Sequence, residues 1–388
     1  MVIGFTVLWR GLSFVLSLKK KCILIDIMVL MKKENCIKGL FLALSLLLGV
    51  SSCFKPEQAE GEVYTDFPIT VHLKADALPL DTALFRYPYR IRVNQNRAVV
   101  MDLHGTDYYF HLFTYPEFNY LSSFGKRGEG PDEVLMAENI RWDGNFLMML
   151  DSGKSEISKW KYTSLFDSLE CIDKVKLDKS VLSALDFALF NDSTYVIPDY
   201  SGENYFCWVD SDGHLKTKTG VIPTVYTDVL RKSPTPLAQA WRSFIDYNSQ
   251  SGILVAATQL GEVFSIYDMR NNTHQTKVGP NGEPVFDIAY GKYGIPTGIM
   301  GFGDLVVGED AIYLLFSGRS FKDIERSLSS GVHYPDGGNL IYVFTKEGIP
   351  LRKYMLDRYI SGIYVDEGKQ TIFATDVNSD EQIVKFKI

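Results

Sequence analysis

Residues 89–102 read YRIRVNQNRAVVMD: an alternating run, a turn of Asn, Gln and Asn, then a wholly apolar run closed by aspartate. The same layout returns five times, as NIRWDGNFLMMLD (139–151), DFALFNDSTYVIPD (186–199), FIDYNSQSGILVAA (244–257), DLVVGEDAIYLLF (304–316) and GIYVDEGKQTIFATD (362–376). The turns centre near Asn96, Gly144, Asp192, Gln250, Glu309 and Glu367, spaced 48, 48, 58, 59 and 58 residues apart. Asn, Asp and Gly suit such turns because tight hairpins need positive φ or a side chain that bonds the local backbone. The flanking Val, Ile, Leu, Phe and Tyr form strands on half-buried or buried surfaces.

Further strand-like runs follow the hairpins: YYFHLFTYP from Tyr108, EISKWKY from Glu156, YFCWVD from Tyr205, EVFSIYD from Glu262 and NLIYVFT from Asn339. Four strands in each of six units predict an all-β, six-bladed β-propeller over residues 67–388, with a seven-bladed ring or a β-sandwich as the alternatives. Helical periodicity is confined mainly to residues 319–330. The sixth unit ends at Ile388 after one further strand, so an N-terminal strand must close the last blade, and Pro68–Leu73 is the expected one.

The N-terminal stretch 31–53, MKKENCIKGLFLALSLLLGVSSC, combines a lysine-rich start, an apolar run of eleven residues and Val-Ser-Ser-Cys. It is too short to span a bilayer and resembles a bacterial lipoprotein signal peptide, with Val50 at a position where leucine is commoner. That resemblance implies a signal over 31–52, lipidation at Cys53 and a flexible, polar tether over 53–66. Residues 1–30 are read as a gene-model extension ahead of a start at Met31 or Met28, against the competing reading of a membrane-inserted leader. The leader through Ser52 carries seven Lys/Arg against two Asp/Glu, so the whole-chain −7 becomes −12 on the remainder. Such an acidic chain is repelled by phosphate backbones, which argues against a nucleic-acid partner. Beyond Cys53 there are two cysteines, Cys171 and Cys207, either paired or separately buried, and nothing in the sequence suggests a metal or cofactor.

With these hairpins and the segment Phe124–Glu133, FGKRGEGPDE, the chain resembles the TolB-like six-bladed propeller lipoproteins of Bacteroidetes, which carry a Gly-x-Gly-Pro-x-Glu loop after their first blade. The resemblance implies the fold, the lipid anchor and a cell-envelope location, with the outer membrane expected. It brings no catalytic residues with it. Gly125, Gly128, Gly130, Pro131 and Glu133 are read as a structural crossing between blades: the order is not that of a phosphate-binding loop, and Pro131 removes a backbone donor.

Counting back from each turn places Arg92, Arg141, Asp246 and Asp304 on the channel side of the inner strands, with Asn139, Asp186 and Tyr364 nearby. Two readings follow: a charged mouth that grips a polar ligand, or Arg–Asp pairing that neutralises the channel. The longer segments 221–240, 279–298 and 318–338 offer a second contact surface, since loops on rigid scaffolds carry function. The six histidines are scattered and no catalytic motif is present. The expectation is therefore a lipid-anchored binding or scaffolding module for a glycan, peptide or envelope protein, with no catalytic residue assigned. The alternative is a polysaccharide hydrolase or lyase working at the channel mouth.

Overall fold

The computed structural model describes residues 61–80, 85–165, 167–202, 204–331 and 334–388. The expected leader, Cys53 and most of the tether lie outside the described residues. Six sheets, each built on four consecutive antiparallel strands or on three completed by an N-terminal strand, form the six blades. Their inner strands are Pro88–Asn94, Ala137–Asp143, Ala188–Asn191, Ser243–Asn248, Phe302–Val307 and Gly362–Asp366. Each pairs with the apolar run that follows it in sequence, as the repeated hairpin predicts. Gln95 (φ 52°) and Gly144 (φ 53°) take the left-handed conformation that the first two of these tight turns require.

The second strands are apolar along their length because both faces are buried. In blade one, Ala98 and Val100 pack toward blade six while Val99 and Met101 pack toward blade two. In blade two, Leu147 and Met149 face blade one while Met148 and Leu150 face blade three. The period-two alternation thus splits each strand between two cores. Six separate apolar clusters result, one at each blade interface.

The aspartate that ends several of these strands has a defined task. Asp151 accepts the amides of Leu135 (2.8 Å), Met136 (3.0 Å) and Lys154 (3.0 Å). Asp102 likewise accepts from Arg86 (2.9 Å), Tyr87 (2.7 Å) and His104 (3.2 Å). Each carboxylate ties the chain entering a blade to the end of that blade's second strand.

The N-terminal segment departs from expectation. Thr70–Leu73 does not close the ring; it adds a fifth, parallel strand to blade five, alongside Lys353–Leu356. Closure falls to Asp76–Ala77, which pairs with Lys385 and Val384 of blade six, extended by Leu78 N–H donating to Ile383 O (2.9 Å). Glu62–Val63, at the end of the expected tether, is itself a parallel strand on blade four. An N-terminal strand does close the last blade, but it is the one after Pro68–Leu73. Phe67 anchors this strap: its ring lies 4.8 Å from Tyr342 and 5.1 Å from Phe344.

The long segments hold structure of their own. Residues 221–240 contain two short helices, α1 (Thr227–Lys232) and α2 (Pro234–Ala240), which the sequence reading treated as loop. Pro234 starts α2, where its fixed φ is suited and its missing donor is not needed. Residues 279–298 contain the hairpin Phe286–Ala289 with Tyr293–Pro296, and α3 (Phe321–Ser330) confirms the helical pattern near 319–330. No described helix is long and apolar enough to cross a membrane.

Phe67→Ala should lower the unfolding free energy by about 3–5 kcal/mol, as for other buried aromatics. Ile69→Ala, two residues on and half exposed, should change it by less than about 0.5 kcal/mol. Urea titration checks both, and equal midpoints for the two variants would mean that the strap is not part of the core.

Candidate functional site

Antiparallel order puts the first and third turns of every blade at one end of the ring and the second turn and crossover at the other. Five blades contribute arginine, asparagine or aspartate on or just before their inner strands. Arg90, Asn139, Asp186 and Asp304 occupy one level, and Arg92, Arg141 and Asp246 the next level toward the turn end.

These side chains bind one another. Arg92 forks onto Asp304, with Nη2–Oδ1 at 3.0 Å and Nη1–Oδ2 at 3.2 Å. Arg90 approaches the same carboxylate, Nε–Oδ1 3.6 Å, and its guanidinium stacks on Tyr89 at 3.8 Å and faces Phe244 at 4.5 Å. Arg141 donates to Asp186 (3.1 Å), to Ile245 O (2.6 Å) and to Phe187 O (3.1 Å), and its Nε is 3.9 Å from Asp246. Asn139 donates to Asp186 at 2.7 Å. Three arginines therefore face three aspartates, and the channel wall is electrically balanced.

The aspartates also join blades. Asp186 accepts the Ile245 amide of blade four (2.8 Å), Asp246 the Val307 amide of blade five (2.8 Å) and Asp304 the Ile363 amide of blade six (2.9 Å). Burial pushes the Asp304 carboxyl up, but Arg90 and Arg92 together outweigh it and hold it below the ordinary range. At Asp246 burial wins and the carboxyl sits above its ordinary value, because Arg141 and the Val307 amide offset only part of the cost. Of the two readings available for Arg92, Arg141, Asp246 and Asp304, the geometry displays the pairing one: the groups expected to grip a ligand are committed to each other.

Above them, at the turn end, a cavity of about 360 Å³ opens. Arg92, Arg141 and Asp246 form part of its floor, and half-buried Trp142, Phe190, Tyr247 and Tyr364 stand around it. Asp143 and Asp192 reach its rim, and neither is in an ion pair among the described residues. The sequence reading found the floor and Tyr364 but not the other aromatics. Their signal was the two or three residues before each turn, where Trp142, Phe190 and Tyr247 recur.

The loop at Gly125–Glu133 is closed upon itself. Glu133 accepts from Gly130 N–H (3.0 Å) and pairs with Lys126 (2.7 Å), and Lys154 donates to the carbonyls of Gly130 and Glu133, both at 2.6 Å. A Cβ on Gly128 would meet Glu133 Oε2 at 1.9 Å, which is why glycine stands there. Glu133 occupies the seat an external anion would need.

Two other polar groupings are packing. Ser123 Oγ lies 2.8 Å from His111 Nδ1, but Asp102 is 4.0 Å from His111 Nε2 and gives its oxygens to backbone amides. Burial also lowers the His111 pKa, keeping the ring neutral. Asp210, Asp212 and His214 have metal-ligand spacing, yet they form one exposed turn in which Lys216 lies 2.6 Å from Asp210 and holds that carboxyl at about 2. Cys171 is half-buried in blade two, and Cys207 lies in the apolar cluster between blades two and three. At the crossover end the three long segments bind each other: Gly294 N–H donates to Gln239 Oε1 (3.0 Å) and Phe321 N–H to Gly298 O (3.0 Å).

The model of the TolB-like 6-blade propeller-like family matches residues 66–368. The chain belongs to that family. Among solved structures this TolB-like propeller is similar to an exported protein of Bacteroides fragilis, with 12% identity, a TM-score of 0.52 and coverage of 84% of this chain and 99% of the other. It is equally similar to a member of the DUF4221 family from Bacteroides vulgatus, at 12% identity and a TM-score of 0.53, covering 85% and 98%. At that identity the likeness is one of fold. No protein of curated function matches the sequence.

Asp304→Ala leaves Arg90 and Arg92 buried without a carboxylate and should cost about 3–5 kcal/mol in chemical denaturation at pH 7. Because the folded value of Asp304 lies below the unfolded one, its ionised form stabilises the ring above the ordinary carboxylate range. That contribution drains as pH falls through the folded value. The melting-temperature gap between wild type and Asp304→Asn should therefore be widest near neutrality and shrink below about pH 4.

Proposed function

We propose that the protein is a lipid-anchored binding module of the cell envelope that holds a polar ligand in the cavity at the turn end of its channel. One observation carries the reading. The ionic side chains of the channel are spent on each other, while the cavity above them presents aromatic faces and the unpaired carboxylates Asp143 and Asp192. Its volume falls in the range of small-ligand sites, about 300–1,000 Å³. A rigid floor with aromatic walls favours recognition, because the walls lose little freedom when a ligand arrives. The anchor at Cys53 and the envelope location rest on the signal-like stretch before it, and the neighbour of similar fold described as exported supports export alone.

Calorimetric screening of glycans and peptides against the purified protein tests the site. Tyr247→Ala and Tyr364→Ala should each weaken the captured ligand by about tenfold or more, the scale of a lost aromatic contact; both rings also pack on blade cores, so the melting temperature of each variant is read beside its affinity. Unaltered affinity in both variants would remove the cavity from consideration, and turnover of the ligand would overturn a purely binding role. Cys53→Ser should move the protein from the membrane fraction to the soluble fraction.

A further inference from the structure

A second concavity of about 710 Å³ adjoins the mouth on the flank of blades one and two. It shares Trp142, Asp143, Gly144 and Asp192 with the mouth and continues outward past Phe146 and Tyr162 to Arg97, Lys159 and Lys161. Arg97, Lys159 and Lys161 supply the positive charge of its lining. None of them forms an ion pair with a carboxylate among the described residues. Instead, Lys159 Nζ rests 4.1 Å from the centre of the Phe146 ring and the Arg97 guanidinium 3.5 Å from that of Tyr162. A ring face orients a cation without neutralising it, so the three cations are held in place on the groove wall outside any ion pair, with Asp173 and Glu170 opposite Lys159 and Lys161 on the neighbouring strand. The carboxylates Asp143 and Asp192 stand on the inner side shared with the mouth, and the cations line only the outer part.

We propose that this groove binds an acidic glycan, with the carboxylates of its sugar units on Arg97, Lys159 and Lys161 and its hydroxyls on Asn94, Gln95 and Asn145. Side-chain amides and ring edges suit a polyhydroxylated ligand. An extended peptide is disfavoured, because the strand bearing Lys159 and Lys161 (Glu156–Thr163) is already paired on both sides and offers no edge for β-addition. The inference rests on the chain being a binding module, but not on occupation of the mouth.

The test is calorimetry of the purified protein with oligogalacturonate, a neutral cello-oligosaccharide of equal length, and polyglutamate. Oligogalacturonate should bind, weaken as salt is raised, and lose about tenfold or more in affinity in Lys159→Gln/Lys161→Gln, as expected for two lost charged donors. The melting temperature of that variant reports folding, and both lysines are at least partly solvent-exposed. Equal binding of the neutral oligosaccharide, equal binding of polyglutamate, an affinity unchanged in the lysine variant, or no binding of oligogalacturonate at millimolar concentration would each overturn the proposal. Loss in the lysine variant with Tyr247→Ala unaffected would uphold the groove and count against the mouth. The reverse pattern would uphold the mouth and sink the groove.

Discussion

A ring of sheets has no covalent clasp, so each blade must hold the next at the axis, where the inner strands converge. Here that hold is a carboxylate reaching across the gap. Asp186, Asp246 and Asp304 each accept a main-chain amide from the following blade, and each also faces an arginine. The two interactions depend on each other. Without the amide and the guanidinium, a carboxylate at the axis would be left desolvated and unpaired, which is expensive in a low-dielectric interior. Without the carboxylates, three arginines would repel one another in the same narrow space. The axial network fixes the relative height of four successive blades and gives the turn-end cavity a stiff floor.

Much of this was legible. The hairpin pattern announced six blades because its two periods are physical: alternation marks a strand with one solvated or channel-facing side, and an unbroken apolar run marks one buried on both. The inner-strand charges were also readable, since Arg92, Arg141, Asp246 and Asp304 follow from counting back along each strand. Their partners were not. Asp304 meets Arg92 across 212 residues, and no local rule joins them. The closing strand was misplaced for a related reason: Thr70–Leu73 and Asp76–Ala77 are both short and extended, and only the three-dimensional path decides which reaches blade six. The aromatic rim and the cationic groove are assembled from strand ends and turns of different blades, so no single segment of the sequence displays either.

The two ends of the molecule have different characters. The crossover end is thickened by α1, α2, the extra hairpin and α3, which bind each other and leave Tyr290 and Tyr293 exposed. The turn end keeps short connections, and this brevity leaves room for concavities between neighbouring blades. Long insertions fill space; short turns leave it open.

The strap that runs over blades four, five and six also bears on how the chain matures. Ala75, in the strap ahead of blade one, bonds to Asp357, 282 residues later. Partners so remote make the closure entropy large and place ring completion late in folding. During synthesis or passage across a membrane, Asp76–Ala77 must wait, uncommitted, until the last repeat arrives. Five repeats can be present and still lack their seal, so a truncated product would expose an open sheet edge that quality-control proteases and chaperones can recognise.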